Sequence, residues 1–319
     1  MKNNYESVAN WSFLWWLFKL FGFPFFLPWA LYNFIGIINQ KRQRTNLQGK
    51  VVMITGASSG LGESLAHLFY SCGCKIILVS RRRKELEKVR NDIMNTHQTV
   101  TTHPPIVLTL DLTEINSLKS EVNKVLDIYG KIDILINNAG ISYRGEIIDT
   151  KVDIDIKVML INYFAQIALT KAVIPSMIKQ NNGHVVYISS VQGKIGIPYR
   201  SAYAASKHAL QAWCDVCRAE MAEKNVAITV ISPGYIKTSL SLNALTGTGQ
   251  VYGVMDEATE KGYTPEFVAD QVLKAVLKKE KDLVVATFTP KVAILLRTVF
   301  PSIYFWIMQK RAKKLKKNR

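Results

Sequence analysis

Val51-Val-Met-Ile-Thr55-Gly56-Ala-Ser58-Ser59-Gly60-Leu61-Gly62 is the stretch on which the fold turns. Its first five residues are apolar or β-branched with no polar alternation, the pattern of a strand buried on both faces of a parallel sheet. The run breaks on glycines, which let the backbone turn sharply, and residues 60–72 then take a helical period. Strand, glycine turn and helix start together make a seat for a pyrophosphate, because the unpaired N–H groups of the first helical turn point at it. No Gly-Lys-Ser/Thr ending follows, so this is not an ATP-type loop.

The same unit repeats outward. Residues 75–80, 106–110, 132–136, 184–190 and 227–231 read as further buried strands, and 282–286 as a seventh. Helical patterns at 84–96, 114–129, 153–179 and 201–223 alternate with them. This order predicts an α/β fold: a single Rossmann-like, doubly wound, parallel seven-stranded sheet over residues 46–290. Residues 239–262 break the rhythm with Gly247, Gly249, Gly253 and Gly262, and are expected to form a mobile substrate lid.

The end of the second strand tests what the glycine loop holds. A carboxylate about 20 residues beyond the last glycine would bind the ribose 2′-hydroxyl of NAD(H). The chain has Val79-Ser80-Arg81-Arg82-Arg83 instead. Guanidinium groups suit a 2′-phosphate in charge and in geometry, so NADP(H) is expected over NAD(H), with Arg81 the first candidate and Arg82 the second. The competing reading is a solvated basic helix start. Thr55, Gly56, Ser58, Ser59, Gly60, Leu61 and Gly62 complete this half of the expected site.

Tyr203 and Lys207 stand four apart in a helical stretch and share a face. An ammonium beside a phenol stabilises the phenolate, drawing its pKa from about 10 towards the range where acid–base transfer works. Ser190, at the carboxyl end of the fifth strand, is placed to hold a substrate oxygen. Asn137-Asn138-Ala139-Gly140, Tyr203-Ala-Ala-Ser-Lys207, Pro233-Gly234 and the 13-residue spacing from Ser190 to Tyr203 resemble the short-chain dehydrogenase/reductase family over residues 48–290. That resemblance implies Ser190, Tyr203 and Lys207 as the catalytic group, with Lys207 also bonding the nicotinamide ribose and Asn162 completing a proton relay. It places Asp111 and Leu112 near the adenine, Asn138, Ala139 and Gly140 along the cofactor cleft, and Pro233, Gly234, Ile236 and Thr238 by the nicotinamide. It implies hydride exchange with a carbonyl or secondary alcohol. A nicotinamide-binding regulator that no longer turns over is the alternative, against which the intact four-residue set argues.

Other chemistries find little support. Ser190 lies in no G-x-S-x-G elbow, which argues against a hydrolase. The histidines form no metal-like cluster, and no metal is expected. Cys214 and Cys217 have C-x-x-C spacing within a helical pattern and read as buried thiols.

The net charge of +17 is concentrated at the ends. Lys310 to Arg319 hold seven Lys/Arg and no acid, and Lys41, Arg42 and Arg44 follow an apolar stretch. Charge beside apolar segments points to membrane lipid rather than nucleic acid. Leu20 to Ile38 is a 19-residue run without charge, close to the roughly 20 that span a bilayer. Pro24 and Pro28 leave a hairpin or a shallow insertion open as alternatives to a spanning helix. Residues 1–45 are therefore expected to be a membrane anchor and basic linker, with the catalytic domain on the cytosolic side. Residues 291–319 form an apolar segment, one further interfacial contact, and a basic tail whose Lys316-Lys317 resembles an endoplasmic-reticulum retrieval signal. The peroxisomal membrane is the alternative location. The expected substrate is lipophilic: a steroid, a retinoid, or an acyl- or alkyl-dihydroxyacetone phosphate. A homodimer is the expected assembly if the chain associates.

Overall fold

The computed structural model describes residues 44–317; the expected N-terminal anchor lies outside them. Seven strands form one sheet, all of them parallel: β1 (Val51–Thr55), β2 (Lys75–Ser80), β3 (Ile106–Thr109), β4 (Ile134–Asn137), β6 (Gly183–Ile188), β7 (Val226–Pro233) and β9 (Asp282–Val285). Their spatial order is β3-β2-β1-β4-β6-β7-β9. Strand order therefore reverses between β1 and β4, and a crevice opens at that switch point beyond the strands' carboxyl ends.

The continuous apolar reading of β1 has a direct cause. Val52 and Ile54 join the core on one face of the sheet, while Val51 and Met53 join the core on the other. The first face is covered by α1 (Gly60–Ser71), through Leu65 and Phe69, and by α2 (Arg83–Thr96), through Leu86 and Ile93. The second is covered by α3 (Leu118–Tyr129), α5 (Ala165–Lys179) and α6 (Ser201–Met221), while α4 (Val152–Met159), which runs on towards α5, packs Ile154 and Val158 in a third cluster with Tyr143, Ala202 and Tyr203. Cys214 and Cys217 are buried in this second core, and burial pushes both thiols up, so they pack as apolar groups. The stretch Val152–Lys179 is long and apolar enough to cross a membrane by composition, but Leu169, Val173 and Met177 are fully buried against the sheet. Part of its apolarity thus serves the core, while Val152, Ile156 and Phe164 are exposed.

Three features differ from the sequence expectation. The helix over 153–179 is not uniform: Leu160–Phe164 widens into a π-helical turn between α4 and α5. The 239–262 segment is more ordered than a loose lid, since β8 (Leu245–Thr246) pairs in parallel with β5 (Tyr143–Arg144), and α7 (Glu257–Glu260) follows. After α8 (Pro265–Lys278), the C-terminal segment forms two helices, α9 (Phe288–Val299) and α10 (Pro301–Lys317).

Candidate active site

The carboxyl ends of β1, β2, β4, β6 and β7 meet around a cavity of about 570 Å³. At one end lies the glycine loop. Gly56 and Gly60 have φ of +65° and +58°, backbone states that a side chain resists, and they let the chain fold back into the start of α1. A Cβ on Gly62 would stand 2.2 Å from Gly56 O, so that glycine is required by close packing. Gly62 and Thr55 are outside the cavity wall and hold it together. Thr55 Oγ1 accepts from the N–H groups of Asn138 and Ala139 at 2.9 and 3.0 Å, and Asn138 Nδ2 donates to Thr55 O at 2.9 Å. Gly56, Ser58, Ser59, Gly60, Leu61, Asn138, Ala139 and Gly140 line the cavity itself.

The two candidate arginines have different partners. Arg82 Nη2 donates to Ser58 Oγ and Ser59 Oγ at 2.8 and 2.9 Å, which puts its guanidinium on the rim of the glycine loop. Arg81 Nη1 lies 3.6 Å from Asp111 Oδ2, with most of its side chain in solvent. Burial alone would raise the Asp111 carboxyl, but the backbone and hydroxyl of Thr113 and the charge of Arg81 hold it below its usual range. Asp111 and Leu112 both line the cavity.

At the other end α6 presents Tyr203 and Lys207, while Ser190 sits just past β6 with its hydroxyl accepting from Gln192 N at 3.1 Å. Lys207 Nζ donates to Ile188 O at 2.9 Å and lies 5.8 Å from the Tyr203 ring centre. Burial pushes the Tyr203 phenol up; a hydrogen bond with Ser190 and the charges of Arg144 and Arg200 draw it partly back. Burial also lowers Lys207 to about 8, so the ammonium is held in water-poor surroundings, with no carboxylate paired to it among the described residues.

Asn162 is in the π-helical turn, a device frequent at functional sites. Its Oδ1 accepts from Ile141 N at 2.8 Å, and its Nδ2 donates to Ile141 O and to Ser206 Oγ at 2.9 and 3.1 Å. It therefore pins the chain after β4 to α6. A Cβ on Gly140 would come within 3.1 Å of Asn162 Oδ1 and 3.8 Å of Lys207 Nζ, so the glycine lets these two side chains approach. Asn162 itself is behind the cavity wall. Pro233, Gly234, Ile236 and Thr238 line it on the β7 side.

The residues fit a dinucleotide by their own chemistry: a glycine cradle at a helix N-terminus, two basic side chains at its rim, and two buried acceptors in the wall. Ser189 and Gln192 line the cavity, and their buried Oγ and Oε1 atoms have no hydrogen-bond partner among the described residues.

Sequence reasoning missed one polar cluster, of which Arg144 lines the wall. Arg144, Arg200 and Asp256 meet beside Tyr203, with Arg144 Nη2 2.6 Å and Arg200 Nη2 3.2 Å from Asp256 Oδ2. No local spacing reveals it, because Arg144 and Asp256 are 112 residues apart.

The model of the short chain dehydrogenase family matches residues 50–247. A dehydrogenase/reductase SDR family protein 7-like of Anopheles gambiae is 54% identical over 99% of both chains. A dehydrogenase/reductase SDR family member 7B of Xenopus tropicalis is 50% identical over 90% of this chain and 94% of its own. Among solved structures, a short-chain dehydrogenase from Streptomyces avermitilis aligns with a TM-score of 0.68 and 26% identity, over 82% of this chain and 97% of its own.

Proposed function

The chain belongs to the short-chain dehydrogenase/reductase family, and from that premise we propose that it exchanges a hydride between NADP(H) and a carbonyl or secondary alcohol of a lipophilic substrate. The observation that carries this reading is one cavity with the glycine loop and its arginines at one end and Ser190, Tyr203 and Lys207 at the other.

The nicotinamide, when bound, supplies or accepts the hydride. The chain's own side chains handle the oxygen and its proton. Ser190 holds the substrate oxygen. Tyr203 stays a neutral phenol at physiological pH because burial raises its pKa, so it is poised to donate its proton as a carbonyl is reduced. The positive charge of Lys207, with Arg144 and Arg200 beyond, stabilises the phenolate left behind, and Asn162 fixes the backbone on which the relay is built. Cytosolic NADPH would favour reduction.

We further propose that residues 1–45 anchor the chain in the endoplasmic-reticulum membrane, the peroxisomal membrane being the alternative, with this domain in the cytosol. The substrate, steroid-, retinoid- or acyl/alkyl-dihydroxyacetone-phosphate-like, would then be drawn from lipid. The test is NADPH consumption by the membrane-bound protein across a panel of membrane-derived carbonyl lipids, run beside Tyr203→Phe. At least one lipid should be turned over by the wild type and lose roughly 10²–10⁴-fold in the variant, the usual worth of a positioned acid. No turnover of any carbonyl with tight NADPH binding retained would favour the regulator instead.

A further inference from the structure

The C-terminal helices pose a physical problem that the active site does not use. α9 is twelve residues long, largely apolar, and buries none of them; α10 buries only Tyr304. Leu295, Val299, Phe300, Ile303, Phe305 and Trp306 are all exposed, Trp306 by 55%. Water-exposed patches of this kind mark an interaction surface.

The charge beside the patch has one sign. Lys310, Arg311, Lys313, Lys314, Lys316 and Lys317 follow in the same helix with no acid among them. Basic groups also sit over the exposed rings. Lys310 Nζ is 3.7 Å from the centre of Trp306, and the Arg297 guanidinium 4.9 Å from that of Phe305. Aromatic rings capped by long basic side chains are the arrangement that places a ring at the headgroup level while the charge stays in water. An apolar face bordered by uniform positive charge is complementary to a bilayer carrying anionic lipid.

The helices are fastened close to the catalytic helix. The Tyr304 hydroxyl donates to Gly196 O, and the Tyr199 hydroxyl donates to Ala312 O at 3.2 Å. Tyr199 O in turn accepts from Gly145 N at 3.3 Å, and α6 begins two residues later at Ser201. Just beyond Gly145, Ile147 and Ile148 are 77% and 87% exposed. A surface held by α10 is therefore held in fixed relation to Arg144 and Tyr203.

We propose that α9 and α10 dock on an anionic bilayer surface and hold the mouth of the active site against the lipid. This rests on the reading of the chain as a membrane-associated enzyme with a lipophilic substrate. The test uses the full chain in nanodiscs of phosphatidylcholine, with or without phosphatidylserine. The half-exposed Cys72 is replaced by Ser, the other cysteines being buried, and Ile303→Cys carries an environment-sensitive fluorophore. With phosphatidylserine present, a doxyl lipid should quench more than half of the emission. A Lys313→Glu, Lys314→Glu, Lys316→Glu variant should lose most of that quenching while staying in the disc. An unquenched label in a disc-bound chain overturns the docking and leaves membrane attachment standing. Disulfide cross-linking between copies through the introduced, unlabelled thiol, without quenching of the labelled chain, also overturns it and gives the face to a second copy. Release of the wild type from native membranes by alkaline carbonate would instead overturn the anchored reading, and quenching on added liposomes would still decide the docking.

Discussion

Arg144 reaches across 112 residues to Asp256, its Nε and Nη2 standing 2.9 and 2.6 Å from the same carboxylate oxygen. Arg144 is only 5% exposed, and Arg200 closes on that oxygen as well. The buried Arg144 and the partly buried Arg200 thus share one carboxylate, and the charge cluster fastens the 239–262 segment to the chain after β4. Burial and the like charge of Arg144 lower the Arg200 guanidinium to about 10, although Asp256 raises it in part.

Removing that carboxylate should therefore do more than loosen a loop. Asp256→Ala leaves the buried Arg144 and the partly buried Arg200 without their counter-charge; breaking a fully buried pair costs about 3–5 kcal/mol, which is the upper bound here. Urea unfolding should show a loss of up to that size, and limited proteolysis should cut within 239–262 at a rate the wild type does not show. A variant as stable and as protease-resistant as the wild type would mean that the cluster is not a latch.

This cluster also marks where sequence reading stops. The sheet was legible because each strand reports its own burial: Val51 and Met53 face one core, Val52 and Ile54 the other. Tyr203 and Lys207 were legible because a helix turns their spacing into a shared face. Asp256 was not, since nothing near it in the chain signals that two arginines will arrive from β5 and from the start of α6. The π-helical turn at Asn162 was equally hidden, because the apolar period on either side of it reads as one helix. β5 and β8, two residues each, are too short to carry any periodicity.

Gly62 offers a sharper test of the loop than the glycines of positive φ. A Cβ there would lie 2.2 Å from Gly56 O and 2.7 Å from Asn138 Nδ2, so either β1 or α1 must move. Gly62→Ala should destabilise by about 1–3 kcal/mol, the usual cost of overpacking, and weaken dinucleotide binding. Gly196→Ala, with nothing within 4 Å of the added carbon, is the control that should change neither. Equal urea midpoints for the two variants would show that the loop has room to spare.

Lys207 predicts a pH dependence with opposite signs for activity and stability. Burial lowers its pKa from 10.5 to about 8. The folded chain thus holds this proton less tightly than the unfolded one, and stability from this group rises as pH climbs from about 8 towards 10.5. The proposed mechanism uses the ammonium, so kcat/KM for reduction should fall above about pH 8. Lys207→Met should abolish that limb and most activity without lowering Tm, because it removes a dehydrated charge. A limb that persists in the variant would assign it to another group.

Under the proposed preference for NADP(H), the arginines at the end of β2 are the groups that read the 2′-phosphate. Arg82 already donates to Ser58 and Ser59 at 2.8 and 2.9 Å, so its guanidinium is fixed at the glycine loop before any phosphate arrives. The Arg81–Asp111 pair, at 3.6 Å with the arginine 62% exposed, is of the kind that contributes little, so little opposes its turning towards a 2′-phosphate. A charge-assisted hydrogen bond contributes about 1.5–3 kcal/mol, or roughly 10–100-fold in binding. Arg82→Ala and Arg81→Asp should each raise the KM for NADPH by about that factor. Only Arg81→Asp, which supplies a carboxylate for the ribose hydroxyl, should also lower the KM for NADH. If the ratio of the two KM values stays the same in both variants, the basic run is merely a solvated start to α2 and the 2′-phosphate is read elsewhere.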